Sequence, residues 1–400
     1  MTPGQGRPAS VLLAGGGSAG HVSPLLALAD ALRARDPSVR ITALGAETGL
    51  EHRLVPVRGY DLRTIPKVAF PRRLSSAATA LPGDLRFAVA AAAAAIDAVE
   101  ADVVVGFGGY VSSPAYLAAR RRGIPVVVHE QNARPGLANR LGARLTPYVG
   151  TTFASTRLPH ARVVGMPLRR EIARLDRAAS RDEALAAFGL VDRRPTLLVT
   201  GGSLGAQRLN EAFAARVGAL CAAGVQVLHL TGLGKEFTPE RPEAGIAQEA
   251  GIAEEADAAA DYVVLPYADR MELAYAAADL VVARAGASTV CELTAVGLPA
   301  VYVPLPIGNG EQRFNAADVV RAGGGLLVDD AALTPQWIER VLLPLVCDPE
   351  RLAAMAAAAL SVGVRDGDQR LAALVDEACR LPRRRRRVPR PQGPSPGPAS

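Results

Sequence analysis

Two stretches of this chain repeat one order, an apolar run, a glycine-rich loop and a helix, and that repetition restricts the fold most. Val11-Leu12-Leu13-Ala14 leads into Gly15-Gly16-Gly17-Ser18-Ala19-Gly20-His21, and Leu25, Leu28 and Leu32 recur at helical spacing from about Pro24 to Arg35. Thr196 to Thr200 leads likewise into Gly201-Gly202-Ser203-Leu204-Gly205-Ala206, with a helix from Gln207 to Cys221. Short continuous apolar runs read as strands buried on both faces of a parallel sheet. Further strands are expected at 39–44, 102–105, 125–129 and 162–164, then at 225–230, 262–265, 279–282 and 300–303. Strands alternating with helices predict doubly wound α/β domains. Four hundred residues suit two of them, joined near 164–170 and facing across a cleft. Residues 1–167 and 168–346 are the expected domains. Residues 347–380 read as helices packing back towards the first domain, and 381–400 as a disordered basic tail.

Glycine between strand and helix permits a tight turn and leaves the first N–H groups of the helix bare. Those groups carry roughly half a positive charge and suit a phosphate or diphosphate. The loop at 15–21 lacks the dinucleotide spacing, and no Gly-Lys-Ser/Thr ends it, which excludes an ATPase P-loop. A third such joint is Ala283-Arg284-Ala285-Gly286-Ala287-Ser288-Thr289-Val290-Cys291-Glu292, whose helix stops at Gly297-Leu298-Pro299. Glu292 falls about one turn in, near enough to accept from ribose hydroxyls while phosphates rest on Ala287 to Thr289. By itself the stretch is equally an ordinary small-residue joint. Gly106-Phe107-Gly108-Gly109 is another glycine turn, followed by Ser113 as cap and Pro114 at the first helical position. His129-Glu130-Gln131-Asn132 ends a strand at the carboxyl edge, where open α/β sheets bind ligands.

Charge divides the chain. Residues 1–167 carry 19 Lys and Arg against 10 Asp and Glu, and residues 168–380 carry 20 against 29. The basic half points to an anionic partner. From Pro66 to Phe87, Lys67, Arg72, Arg73 and Arg86 alternate with Val68, Phe70, Leu74, Leu81 and Leu85. This mixture suits an anionic bilayer surface, and equally a core-facing helix with solvated arginines. The arginines at 383–387 read as a solvated tail, with no nucleic-acid partner. Cys221, Cys291, Cys347 and Cys379 have neither metal-type spacing nor a pairing pattern, so a reduced, cytoplasmic compartment is expected. The longest apolar run, 87–96, is mostly alanine and falls short of the roughly 20 residues of a membrane span. The run at 11–14 is too short for a signal peptide. A soluble or peripheral protein follows.

Six motifs in order carry a family resemblance. They are Gly-Ser-Ala-Gly-His at 17–21, Gly-Phe-Gly-Gly-Tyr-Val-Ser at 106–112, His-Glu-Gln-Asn at 129–132 and Gly-Gly-Ser-Leu-Gly-Ala at 201–206. Arg-Ala-Gly-Ala-Ser-Thr-Val-Cys-Glu at 284–292 and Gly-Asn-Gly-Glu-Gln-Arg-Phe-Asn at 308–315 complete the set. From Val11 to about Arg380 the chain resembles the MurG family. The resemblance implies the GT-B architecture, two Rossmann-like domains facing across a cleft. It implies an inverting transfer of N-acetylglucosamine from UDP-GlcNAc to the C4 hydroxyl of undecaprenyl-diphospho-N-acetylmuramyl-pentapeptide, in peptidoglycan synthesis. Such enzymes sit peripherally on the cytoplasmic face of the cell membrane.

By the same resemblance Ala268 meets the uracil through its backbone, and Glu292 meets the ribose. Ser203 with Ala287, Ser288, Thr289 and Val290 holds the diphosphate, while Gln312 and Asn315 read the sugar hydroxyls. Ser18, Ala19, Gly20, Asn132 and Arg169 reach this ligand from the N-terminal side and the hinge. His21 is the expected base, since imidazole titrates near neutrality, and Glu130 is the second candidate. Arg169 and the helix starts stabilise the departing UDP. No metal or other cofactor is expected, and Asp366-Gly367-Asp368 reads as a solvated turn. The chain departs from the family at Met166, where Asn usually precedes proline, at Ser18-Ala19-Gly20 in place of Thr-Gly-Gly, and at Glu311 in place of Gln. The rival readings are a GT-B paralogue with another sugar nucleotide or acceptor, a UDP-sugar epimerase of the same fold, and a binding module.

Overall fold

The computed structural model describes residues 7–17, 19–67, 77–202, 205–239, 261–307 and 310–380, and in it the apolar runs pair into two sheets. The first contains β1 (Ser10–Ala14), β2 (Arg40–Ala46), β3 (Asp61–Ile65), β4 (Val103–Gly106), β5 (Val126–Glu130), β6 (Val149–Thr151) and β7 (Ala161–Val163). Its order is β3-β2-β1-β4-β5-β6-β7. The second contains β8 (Thr196–Thr200), β9 (Gln226–Leu230), β10 (Tyr262–Leu265), β11 (Leu280–Ala283), β12 (Ala300–Tyr302) and β13 (Gly325–Leu327), in the order β10-β9-β8-β11-β12-β13. Every neighbouring pair is parallel. These are the two doubly wound sheets that the alternation of elements requires.

Strand period explains how each sheet is covered. Val11 and Leu13 of β1 pack with Val22, Leu25 and Leu28 of helix Ala19–Arg35. Leu12 and Ala14 point the other way, against Ala92 and Ile96 of helix Ala77–Ala98 and Ala115 of helix Ser112–Arg122. In the second sheet Leu198, Val281 and Ala283 lie on one face and Leu197, Val199 and Val282 on the other. Each such leucine or valine, fully buried, contributes about 1.5–3 kcal/mol.

Three strands go beyond those readable in the sequence. β6 and β13 are three residues long, and β3 is an edge strand with only Ile65 buried. The first helix begins at Ala19 rather than near Pro24. Pro24 removes one backbone bond close to the helix start, where few bonds are yet in place. His21 therefore belongs to the first helical turn. Of the mixed segment 66–87, residues 68–76 lie outside the described residues, as does the tail 381–400.

The last two helices part company. Helix Pro349–Val362 stays with the second sheet, through Leu352, Met355 and Ala359. The chain then crosses the junction, where a Cβ on Gly363 would stand 2.3 Å from Thr294 O and one on Gly367 2.3 Å from Met166 O. Arg365 donates to Ala295 O (2.6 Å) and Leu175 O (3.2 Å) on the way. Helix Gly367–Cys379 then inserts Leu371, Leu374 and Val375 beneath the first sheet. Asp376 pairs with Arg35 at 2.7 Å, and Glu377 takes Arg162 bidentately at 2.6 and 3.1 Å. Asp366-Gly367-Asp368 is thus a helix start, with Asp366 paired to Arg370. Leu371→Ala, emptying a fully buried position, is expected to cost about 2–5 kcal/mol in chemical denaturation. A loss below about 1 kcal/mol would show that this helix is no part of the first core.

Candidate active site

The carboxyl ends of β1 and β4 lie side by side where the first sheet reverses its order, the usual crevice of such sheets. Gly17, Gly108 and Gly109 have φ of +86°, +90° and +77° there, a region that glycine enters without strain. The two turns touch, since a Cβ on Gly109 would stand 2.8 Å from Gly16 O. Ser112 Oγ bridges them, 3.0 Å from Ala14 O and 2.6 Å from Gly108 O. The His21 ring lies against this double turn: a Cβ on Gly108 would stand 3.2 Å from its Cε1. Its Nδ1 is buried with no hydrogen-bond partner. Burial lowers the imidazole pKa, against smaller upward pulls from the Phe107 backbone, the Gln131 side chain and the Glu51 charge. His21 is neutral at pH 7.

The next strand end is organised differently. Glu130 is 2% exposed, and both its oxygens are occupied. Oε1 accepts from Asn132 N (2.9 Å) and Asn132 Nδ2 (3.5 Å), and Oε2 from Gly136 N (3.0 Å) and Asn139 Nδ2 (2.9 Å). Burial raises its pKa while these donors pull it back. Asn139 also donates to His129 O and accepts from the buried Tyr116 hydroxyl. A carboxylate so committed shapes the 132–136 loop and has little capacity left for a substrate proton. His129 Nε2 donates to Gly165 O at 2.9 Å, and burial lowers its pKa to about 4. Hinge hydrogen bonding thus comes from His129, while Met166 packs into the apolar core of the second domain.

The second sheet reverses between β8 and β11. Gly201 and Gly202 leave β8, and Gly205 runs so close to Thr231 O that a Cβ would stand 2.0 Å from it. β11 turns at Gly286 into helix Ala287–Val296, whose start no side chain caps. Its first N–H groups face the carboxyl edge. Glu292, one turn in, accepts from Tyr275 Oη at 2.7 Å. Burial raises the Glu292 pKa, while Arg169 and this hydrogen bond lower it. Ala268 lies in the loop after β10 with its methyl buried. Gln312 is oriented by Leu305 N, which donates to its Oε1 at 2.9 Å.

The Asn315 amide joins the two edges. Asn315, 1% exposed, accepts from Ala133 N (2.9 Å) and donates to Asn132 Oδ1 and Ala285 O (each 3.3 Å). Arg134 lies over the Phe314 ring beside it, 3.8 Å from the centroid. Asn315 therefore serves as a strut between the domains in this structure, beyond the sugar-reading role the family pattern suggests. Ser18 and Ser203 lie outside the described residues. Ala19 and Gly20 open the first helix, and Arg169 precedes helix Arg170–Ala173 at the junction. A cavity of about 520 Å³ among Arg177, Arg181 and Asp279 opens at the opposite, amino ends of β8 and β11. Sequence reasoning missed Glu51, Asn139 and Tyr275. None adjoins a glycine loop in the chain, so no local signal marks them.

Residues 11–150 match the glycosyltransferase family 28 N-terminal domain, and residues 196–371 the C-terminal domain of the same family. A UDP-N-acetylglucosamine–N-acetylmuramyl-(pentapeptide) pyrophosphoryl-undecaprenol N-acetylglucosamine transferase of Nocardioides sp. is 58% identical over 369 residues, covering 92% of this chain and 97% of the relative. Its counterpart in Leifsonia xyli subsp. xyli is 57% identical over 365 residues, covering 91% and 97%. The crystal structure of Acinetobacter baumannii MurG aligns with a TM-score of 0.71 at 29% identity, over 92% of this chain and all of that one. A UDP-GlcNAc 2-epimerase from Neisseria meningitidis, 13% identical with a TM-score of 0.62, shares the fold alone. Both domains matched in order, by relatives this similar along their whole length, mean that the chain belongs to the MurG family of glycosyltransferases.

Proposed function

We propose that this protein transfers N-acetylglucosamine from UDP-GlcNAc to the muramyl C4 hydroxyl of undecaprenyl-diphospho-N-acetylmuramyl-pentapeptide, inverting the anomeric carbon. Identity of 57–58% to transferases of that name, running through both strand-reversal edges, carries the reading. The second domain takes the donor. The uncapped start of helix Ala287–Val296 (Ala287, Ser288, Thr289 and Val290), with Ser203, receives the diphosphate. Glu292 accepts from the ribose hydroxyls, its orientation fixed by Tyr275, and the Ala268 backbone meets the uracil. Gln312 faces the sugar, and Ser18, Ala19, Gly20, Asn132 and Arg169 close the site from the first domain and the hinge.

His21 is the base. A neutral imidazole takes the C4 hydroxyl proton as that oxygen attacks C1, and the C1–O bond to UDP breaks. The charge gathering on UDP is met by the helix start and Arg169, already in place before reaction. Glu130 acts by holding the Asn132 loop.

The acceptor's lipid calls for a membrane-facing surface. Leu137 is 70% exposed beside Arg140, Arg144 and Arg157 on the first domain, in a shallow groove of about 430 Å³ without an acid. Apolar contact with cationic surroundings suits an anionic bilayer. No helix among the described residues is long and apolar enough to cross a membrane. We place the protein peripherally on the cytoplasmic face.

UDP release from UDP-GlcNAc with a short-chain lipid acceptor tests the activity. UDP released only with another donor or acceptor replaces the reading. His21→Ala is expected to lower kcat about 10²–10⁴-fold at nearly unchanged donor affinity. Glu292→Ala is expected to weaken donor binding about 10–100-fold, the loss of a hydrogen bond to a charged group. Because burial depresses the His21 pKa, the neutral base persists into mildly acid solution. The acid limb of kcat should therefore lie below the ordinary imidazole value of about 6.5, and a limb above it argues against His21. Leu137→Asp with Arg144→Glu should reduce flotation with phosphatidylglycerol vesicles, and salt should weaken the wild-type binding. Flotation indifferent to both removes this surface.

A further inference from the structure

Glu51 has no exposed surface and no task in the reaction described above. It opens the short helix Glu51–Val57 after β2, far in sequence from the first glycine loop. Three glycines enclose it: Cβ atoms on Gly16, Gly45 and Gly49 would stand 2.4, 2.6 and 2.3 Å from its side-chain atoms. Gly17 N donates to Oε2 and Ala46 N to Oε1, each at 3.0 Å. No lysine or arginine pairs with it among the described residues. A buried carboxylate with no cationic partner is costly, offset here by two backbone N–H donors and its place in the first turn of a helix.

The glycine loop after β1 has the form of an anion site, and Glu51 occupies it from inside. The Gly17 N–H that a substrate phosphate would take is already used, so the protein itself sets the shape of the loop. Gly17, held at φ +86°, leads directly into the helical turn that carries His21. Proton transfer onto His21 creates a cation in a buried place. Around it, the β4 turn supplies Phe107, Gly108 and Gly109, and the β5 end supplies uncharged Gln131. His129 is neutral and bonded to Gly165, and Glu130 is bonded by four donors. Among the described groups the Glu51 charge favours the protonated ring, by less than the Phe107 backbone and the Gln131 side chain do.

We propose that Glu51 is a positioning residue for the transfer: it fixes the first glycine loop, and with it His21, and offsets the positive charge His21 gains on taking the acceptor proton. The inference rests on His21 as the base. Glu51→Gln keeps the shape and removes the charge. Its kcat should fall about 3–10-fold, up to the scale of one pKa unit, and its UDP-GlcNAc affinity should change less than kcat, because the second domain holds the uracil, ribose and diphosphate and only Ser18, Ala19 and Gly20 reach the donor from this loop. Without the neighbouring negative charge His21 is harder to protonate, so the acid limb of kcat should move to lower pH. In a His21→Ala background, Glu51→Gln should add no further loss.

Wild-type kcat with an unmoved limb in Glu51→Gln overturns the proposal, as does a full additional loss in the His21→Ala background. An unchanged kcat in His21→Ala brings down the base assignment and this inference together, whereas the first two outcomes touch Glu51 alone. Should Glu51→Gln lose donor binding through misfolding, Glu51→Asp is read in its place. Reduced kcat at wild-type donor affinity supports the role, and wild-type kcat overturns it.

Discussion

A parallel sheet buried on both faces favours connections that cross over through helices, and each connection leaves its strand at the carboxyl end. The turns from strand into helix therefore collect along one edge, with the N–H groups of the helix starts beside them. In this chain that happens twice, at Gly15–Gly17 with Gly106–Gly109 and at Gly201–Gly202 with Gly286. Apolar strands such as β1, β4, β8 and β11 are buried throughout, so polar groups gather at the strand ends rather than within the sheet. Where the order reverses, two neighbouring strand ends open a gap wide enough for a ligand.

The edges must also face each other, and few contacts hold them. Asn315 reaches from the second domain to Asn132 and Ala133 of the first. The chain passes the junction twice, at Gly165–Met166 and at Gly363–Gly367, and in the second passage Gly363 and Gly367 leave no room for a Cβ. Helix Gly367–Cys379 then gives the first core apolar groups from the far end of the chain. Met166 lies between the two passages, its carbonyl against Gly367 and its side chain in the core of the second domain. A methionine, unbranched and adaptable, suits such a place better than a rigid polar contact.

Much of this was legible in the residues. Fully buried strands announce themselves as Val/Leu/Ile runs, and glycine punctuates the strand ends, so the two sheets and their binding edge could be read. β3 escaped because an edge strand, Asp-Leu-Arg-Thr-Ile, looks like any exposed segment. The helix start at Ala19 escaped because Pro24 reads as a first-turn residue. The family pattern marked Asn315 without revealing that its amide spans the domains, since Ala133 lies far away in sequence. Glu51 was invisible for the same reason. Gly45 and Gly49 are its neighbours in the chain, but its role depends on Gly16 and on Gly17, 34 residues before it.

Burial alone does not identify a reacting group. His129, Glu130, Glu51 and His21 are all enclosed at the first sheet's edge, and their hydrogen bonds separate them. His129 gives a proton to Gly165 O and stays neutral. Glu130 accepts four N–H groups and Glu51 two, each holding a loop. His21 keeps a nitrogen that no partner satisfies. Leaving a buried polar atom unpaired costs about 1–3 kcal/mol, and His21 shares that condition with Gln131 and Thr152 nearby in the fold. The ring sits against the glycine turns at the strand-reversal edge. It is this difference in hydrogen bonding that leaves His21 for the proton-accepting role proposed above, while Glu51 holds the loop before it and Glu130 the loop after β5.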